Sequence, residues 1–149
     1  MSTVGLEGLD HTVQLTHIWI NDLNERLCWN DKSRAYRLLK AVLHALRDRL
    51  LVDESANLAA QLPTLLRGAY YEQWRPATTL VKDRSLRRFL ERIDEAFARD
   101  PLVNTEEAVT AVFQLLSAKV TAGEIEDVRN ALPEDIRMLW KLPQGAAAK

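Results

Sequence analysis

The sequence predicts an all-α protein: a helical bundle of two tandem repeats, each of three to four helices, offset by seventy residues and packed with pseudo-twofold symmetry. Three observations carry this reading. Apolar residues recur at helical three- and four-residue steps and not in strand alternation. Glycine and proline are scarce, at five each. Sliding the chain by seventy residues also superposes its halves without a gap.

The first helical stripe runs from Val13 to Leu27 through Ile18 or Trp19, Leu23 and Leu27. Ala35 to Leu50 follows, with Leu38, Leu39, Val42, Leu43, Leu46 and Leu50 on a broad apolar face. Arg37, Lys40, His44 and Arg47 occupy its polar side. A short Ala-rich helix over about 54–61 comes next, and Pro63 then opens another, because proline's missing N–H costs nothing in a first turn. Arg75 precedes Pro76 and is pushed towards extended geometry, so Trp74 to Ala77 reads as a linker. Beyond it, Ser85 to Ala98 is helical, and Asn104 with Glu107 marks a capping box at the next start. Thr121 with Glu124 forms a second box, and Pro133 opens a last helix carrying Ile136, Leu139 and Trp140.

In the seventy-residue register, Leu62-Pro63 falls on Leu132-Pro133, Arg67 on Arg137, Glu54 on Glu124 and Ala41-Val42 on Ala111-Val112. Amphipathic patterning alone explains matched apolar positions but not a Leu-Pro pair, a Glu and an Arg in one frame. The chain reads as a single domain over 1–149, with unit one at about 11–74 and unit two at about 83–143. One unit alone leaves an apolar face uncovered, so the two are expected to pack on each other. The tail, 144–149, has little to bury and is expected to be disordered. In each unit the Glu precedes the Arg by thirteen residues. The pairs Glu54–Arg67 and Glu124–Arg137 are therefore expected to fix the turn between short helix and Pro-initiated helix, the Glu accepting from the guanidinium or from a helix start.

A net charge of −1 and 47% hydrophobic residues fit a soluble globular protein. Basic residues cluster at Lys82, Arg84, Arg87, Arg88 and Arg92, and at Arg34, Arg37, Lys40, Arg47 and Arg49. Acidic residues interleave with them, so they read as solvated helix faces and nucleic acid is not an expected partner. The single cysteine, Cys28, cannot form an internal disulfide and reads as a small packing residue. No signal-like or membrane-length apolar run is present, and the expected location is the cytoplasm.

No chemistry assembles from the motifs. His11, His17 and His44 have no i, i+4 partner for a metal. Gly-x-Ser-x-Gly and glycine-rich phosphate loops are absent. Carboxylates such as Glu106-Glu107 and Glu134-Asp135 sit in first helical turns, where the dipole favours them. No catalytic residue, cofactor or metal is expected, and an enzyme is the least favoured reading. The unusual segment is Arg67 to Pro76, in which Tyr70, Tyr71 and Trp74 lie close together beside Arg67 and Arg75. Aromatics flanked by arginine are the composition of interface hot spots; covering the gap between the two units is the other account of Trp74, and the favoured one.

Asp10-His11-Thr12, Arg34-Ala35-Tyr36-Arg37, Ala41 to Leu50, Gln61-Leu62-Pro63, Leu65-Leu66-Arg67-Gly68, Tyr70-Tyr71, Trp74 and Gly123 to Arg129 together resemble the bacterial domain of unknown function 2267 family. The resemblance spans about Asp10 to Leu142. It implies a bacterial, all-helical protein and no reaction, cofactor or substrate. The expected function is therefore a non-enzymatic protein–protein interaction or scaffold domain able to pair with itself. Its candidate surface is Tyr71, Trp74 and Arg75, with a second polar patch at Arg37, His44 and Arg47. The alternative is a small-molecule binder using a groove between the repeats.

Overall fold

The structure is a computed structural model that describes residues 6–142. Among these are eight α-helices and no strand. They are α1 (Glu7–Leu27), α2 (Lys32–Arg47), α3 (Val52–Ala60), α4 (Thr64–Tyr71), α5 (Leu86–Ala96), α6 (Thr105–Lys119), α7 (Ala122–Ala131) and α8 (Glu134–Arg137). A single 3-10 turn at Pro76–Thr78 lies in the expected linker. The expected disorder at 144–149 lies outside the described residues.

Half of the eight helix starts are made by side chains that accept a free N–H of the first turn. Asp31 accepts from Arg34, Ser85 from Arg88, Asn104 from Glu107 and Thr121 from Glu124. The box at α7 is one-sided. Glu124 does not return the bond, and the Thr121 N–H instead donates to Gln61 Oε1 of the other half at 3.3 Å. Pro63 and Pro133 stand at the N-caps of α4 and α8, each carbonyl receiving the first helical N–H.

Two helices depart from the sequence pattern. α1 starts at Glu7, a turn and a half before Val13, and α8 ends at Arg137, so Leu139 and Trp140 follow it in a turn. Cys28 is exposed, caps α1 with φ 57° and is not a packing residue.

The core runs through both halves as one cluster. Trp19 and Leu23 of α1 and Leu38, Leu39, Val42, Leu43 and Leu46 of α2 meet Phe89 and Ile93 of α5 and Val109, Val112, Phe113 and Leu116 of α6. Trp140 stacks on Phe113 at 4.2 Å and donates its indole N–H to Ser117. The helices interleave: α1 packs on α2 and α6, α2 on α5 and α6, and α3 on α7. Polar bonds cross between the halves too. Arg34 donates to the Asp100 carboxylate at 2.7 Å and to the carbonyls of Asp100 and Pro101, and Arg92 pairs with Asp48 at 3.1 Å.

Candidate functional site

The aromatic segment ends α4 and runs from core to rim. Tyr70 is fully buried, and its hydroxyl donates to the Ser55 carbonyl at 3.1 Å. Burial pushes the Tyr70 phenol far above its ordinary range. Tyr71 meets Tyr70 edge-on at 5.3 Å, and Trp74 stacks on Tyr71 at 5.2 Å. Both outer rings are half-buried, and the Trp74 indole N–H is directed to Thr79 Oγ1 at 3.3 Å. Arg75 is exposed beside them.

The expected second patch does not form as one surface. Arg47 is only 3% exposed. Its Nη1 donates to the carbonyls of Tyr70 (2.7 Å) and Glu72 (2.9 Å), and its Nε to Asp48 (2.9 Å). His44 Nε2 meets the Ala69 carbonyl at 2.7 Å, so that nitrogen carries the proton. Both side chains donate to carbonyls at the C-terminal end of α4, and the Arg47 cation is favoured there by the helix dipole. Burial holds His44 below its ordinary pKa against the raising effect of that carbonyl, with Arg47, Arg92 and Lys40 adding to the depression. Arg37 lies apart from them, exposed, over the Phe97 ring and bonded to Asp100 at 3.2 Å.

The two Glu–Arg pairs are corrected. Arg67 Nε donates to the Ala59 carbonyl at 2.9 Å and its Nη2 to that of Leu62 at 3.0 Å, so it closes the end of α3 and leaves Glu54 alone. Among the described residues no ion pair joins Glu124 to Arg137, and neither Glu carboxylate caps a helix. For Arg67 the physical reason is a stronger acceptor set: the carbonyls of Ala59, Ala60 and Leu62 converge where α3 ends at the Leu-Pro turn, and the guanidinium fork fits them.

Two features escaped the spacing of the sequence. The first is a basic seam where the stretch before α5 crosses the end of α2, held there by the Val81 N–H on the Asp48 carbonyl at 3.1 Å. Arg49, read from sequence as a solvated residue, is 2% exposed. Its Nη1 donates to the Ala45 carbonyl at 3.0 Å, its Nε has no partner, and its guanidinium lies 5.1 Å from the Phe89 ring centre. Burial lowers its pKa to about 10, Asp48 opposing and Arg92 and Arg88 adding to the fall. Arg84 bridges the halves through Nη2, to the carbonyls of Arg49 (3.2 Å) and Ala131 (2.8 Å), and its buried Nε is also unpartnered. The second feature is an exposed apolar stripe, Leu6, Leu9 and Val13, on the first turns of α1. Its three- and four-residue steps face outward and do not continue the buried stripe of Trp19 and Leu23.

Among the described residues, no three His, Cys, Asp or Glu side chains come together where a metal could be held. No helix among them is long and apolar enough to cross a membrane. No curated protein matches the chain. The model of one family matches residues 16–139, nearly the whole described span, and its description is an uncharacterized conserved protein. With that match over an all-helical fold, the chain belongs to the domain of unknown function 2267 (DUF2267) family.

Proposed function

We propose that the protein is a non-enzymatic helical interaction domain of the bacterial cytoplasm, built from two copies of one four-helix unit, that pairs with a second copy of itself. The duplicated build is supported by helix starts seventy residues apart, Val52 with Ala122 and Thr64 with Glu134. It is supported also by contacts that map onto each other when the halves are exchanged: α1 on α6 with α2 on α5, and α1 on α2 with α5 on α6.

The apolar stripe at the start of α1 carries the interaction reading. Leu6, Leu9 and Val13 share one helix face, with Leu9 59% exposed. Leu65 of α4, 49% exposed, extends it, since its N–H donates to Thr12 Oγ1 on α1 at 2.9 Å. Exposed large aliphatics are unremarkable singly, whereas neighbours on adjoining helices mark a contact surface. A stripe on one helix matches itself under a twofold axis, the commonest symmetry of paired chains. A net charge of −1 adds little repulsion between copies. The rim of Tyr71, Trp74 and Arg75 is the other face on offer, but Trp74 already spends one ring face and its N–H inside the chain.

Sedimentation equilibrium over a concentration series tests the reading. The wild type is expected to dimerise, Leu9→Lys to remain monomeric with unchanged helical content, and Trp74→Ala to dimerise as the wild type does. A wild type that stays monomeric throughout, or a Leu9→Lys variant that dimerises equally well, overturns it.

A further inference from the structure

A separate observation points to a ligand. Folded chains rarely bury a charged side chain without a counter-charge, because desolvation of a lone ion costs several kcal/mol or about that order. Arg49 is buried and charged, and among the described residues it is bonded to no carboxylate, Asp48 and Asp83 acting on it only through space. Its sequence neighbour Asp48 is already spent on Arg47 and Arg92. Beside its contact with the Phe89 ring, Arg49 lines two open cavities at the seam.

The first cavity, about 200 Å³, is lined by Arg49, Lys82, Asp83, Arg88, Arg92 and Val81. Arg88 pairs with Glu95 at 2.9 Å and Glu91 at 3.5 Å, and Arg92 with Asp48. Asp83 accepts the Ser85 N–H and faces Arg87 at 3.9 Å. The lining cations without a carboxylate ion pair among the described residues are therefore Arg49 and Lys82. The second cavity, about 230 Å³, is lined by Arg49 and Arg84 with Leu51, Leu80 and Ala131, and Glu54 at its edge. Its lining sets three apolar side chains beside two arginines and one carboxylate.

We propose that this seam binds a phosphate group, free or carried as a monoester of a small organic molecule. The oxyanion takes the first cavity against Arg49 and Lys82, and an organic body takes the second. Two uncommitted cations match a dianion in charge. Guanidinium favours the tetrahedral oxyanions because its fork donates to two oxygens at once. Each cavity is smaller than the several hundred Å³ typical of about drug-sized ligands, which fits a phosphate and a short carbon chain and excludes a large cofactor. The site lies between the halves, where a ligand groove is expected from the duplicated sequence, but its lining is cationic and not aromatic. It is independent of the self-pairing stripe.

The test is calorimetric titration of the full chain with inorganic phosphate and with glycerol phosphate, each at fixed ionic strength. Saturable one-to-one binding of at least one is expected. Lys82→Ala, at an exposed position, is expected to weaken it several-fold. Arg49→Met, which keeps the packing stem, is expected to weaken it by about tenfold or more. Tighter binding of glycerol phosphate assigns the ligand as an ester, and equal binding assigns it as the free ion. Absence of saturable binding with both anions overturns the proposal. So does unchanged affinity in Lys82→Ala, or in an Arg49→Met variant that folds.

Discussion

Glu54 and Glu124, one from each half, lie close enough across the contact of α3 with α7 to repel each other. Burial pushes the Glu124 carboxyl above its ordinary range, and the charges of Glu54 and then Asp127 push it further. Its Oε2 is buried without a hydrogen-bond partner. Where the spacing of the sequence suggests that each Glu seeks its own Arg, the fold places Glu against Glu.

A raised folded-state pKa means that the native chain holds this proton more tightly than the unfolded chain does. Stability associated with Glu124 is therefore full below its ordinary pKa of 4.5 and falls as pH climbs through the raised value. Glu124→Gln is expected to stabilise the protein at pH 7 by up to about 1 kcal/mol, since it removes an unsatisfied buried charge. At low pH, where the carboxyl is protonated, the gain should vanish. Chemical denaturation at two pH values reads the difference, and an equal effect at both would refute the linkage.

His44 has the opposite sign. Its depressed folded-state pKa means that the neutral ring is the native form, so its contribution is present above the ordinary 6.5 and is lost as pH falls through the lowered value. An NMR titration should place the His44 midpoint below 6.5. His44→Ala should cost about 1 kcal/mol above pH 7 by removing one of the two donors to the Ala69 carbonyl, and less in acid.

Arg47 is expected to be the most sensitive polar residue of the fold. Arg47→Met leaves the carbonyls of Tyr70 and Glu72 without their donor and Asp48 without one of its two partners. Breaking such a buried network costs about 3–5 kcal/mol. Arg47→Lys recovers only part of this, because one ammonium cannot reach three acceptors in the geometry of the fork. Urea midpoints of the two variants, at an unchanged slope, check the ranking.

Arg67→Met tests the corrected turn. With the carbonyls of Ala59 and Leu62 as the acceptors, the loss should be about 1–2 kcal/mol. Glu54→Gln should not reproduce it. Equal losses from the two variants would restore a Glu–Arg pair.

The helices were legible wherever one face meets the core. Val109, Phe113 and Leu116 announce α6, and Asn104 marks its start with the expected side-chain cap. At α1 the early start leaves no core signal, because Leu6 and Leu9 face outward and their spacing does not continue the buried stripe of Trp19 and Leu23. At α8 the helix is four residues long, and Trp140 reaches Phe113 from a turn that no periodicity marks. Among the candidate site residues, Arg75 and Arg37 are exposed as a sequence pattern implies, whereas Arg47 is not. It lies on the polar side of α2 by spacing and is buried only because α4 ends above it. Arg49 follows the helix, and only the long-range crossing of the stretch before α5 encloses it. Burial imposed by residues thirty positions away leaves no local trace.

The interleaving of α1 with α6 and α2 with α5 has a consequence for synthesis. During translation the first half leaves the ribosome before the helices that cover it exist. Trp19, Leu38 and Leu43 then stay uncovered until Phe89, Phe113 and Trp140 have emerged. The nascent chain must stay in an unfinished state for that interval, within reach of chaperones and proteases. Separately produced halves should be unstable alone yet recombine when mixed, the linker's contribution being effective concentration.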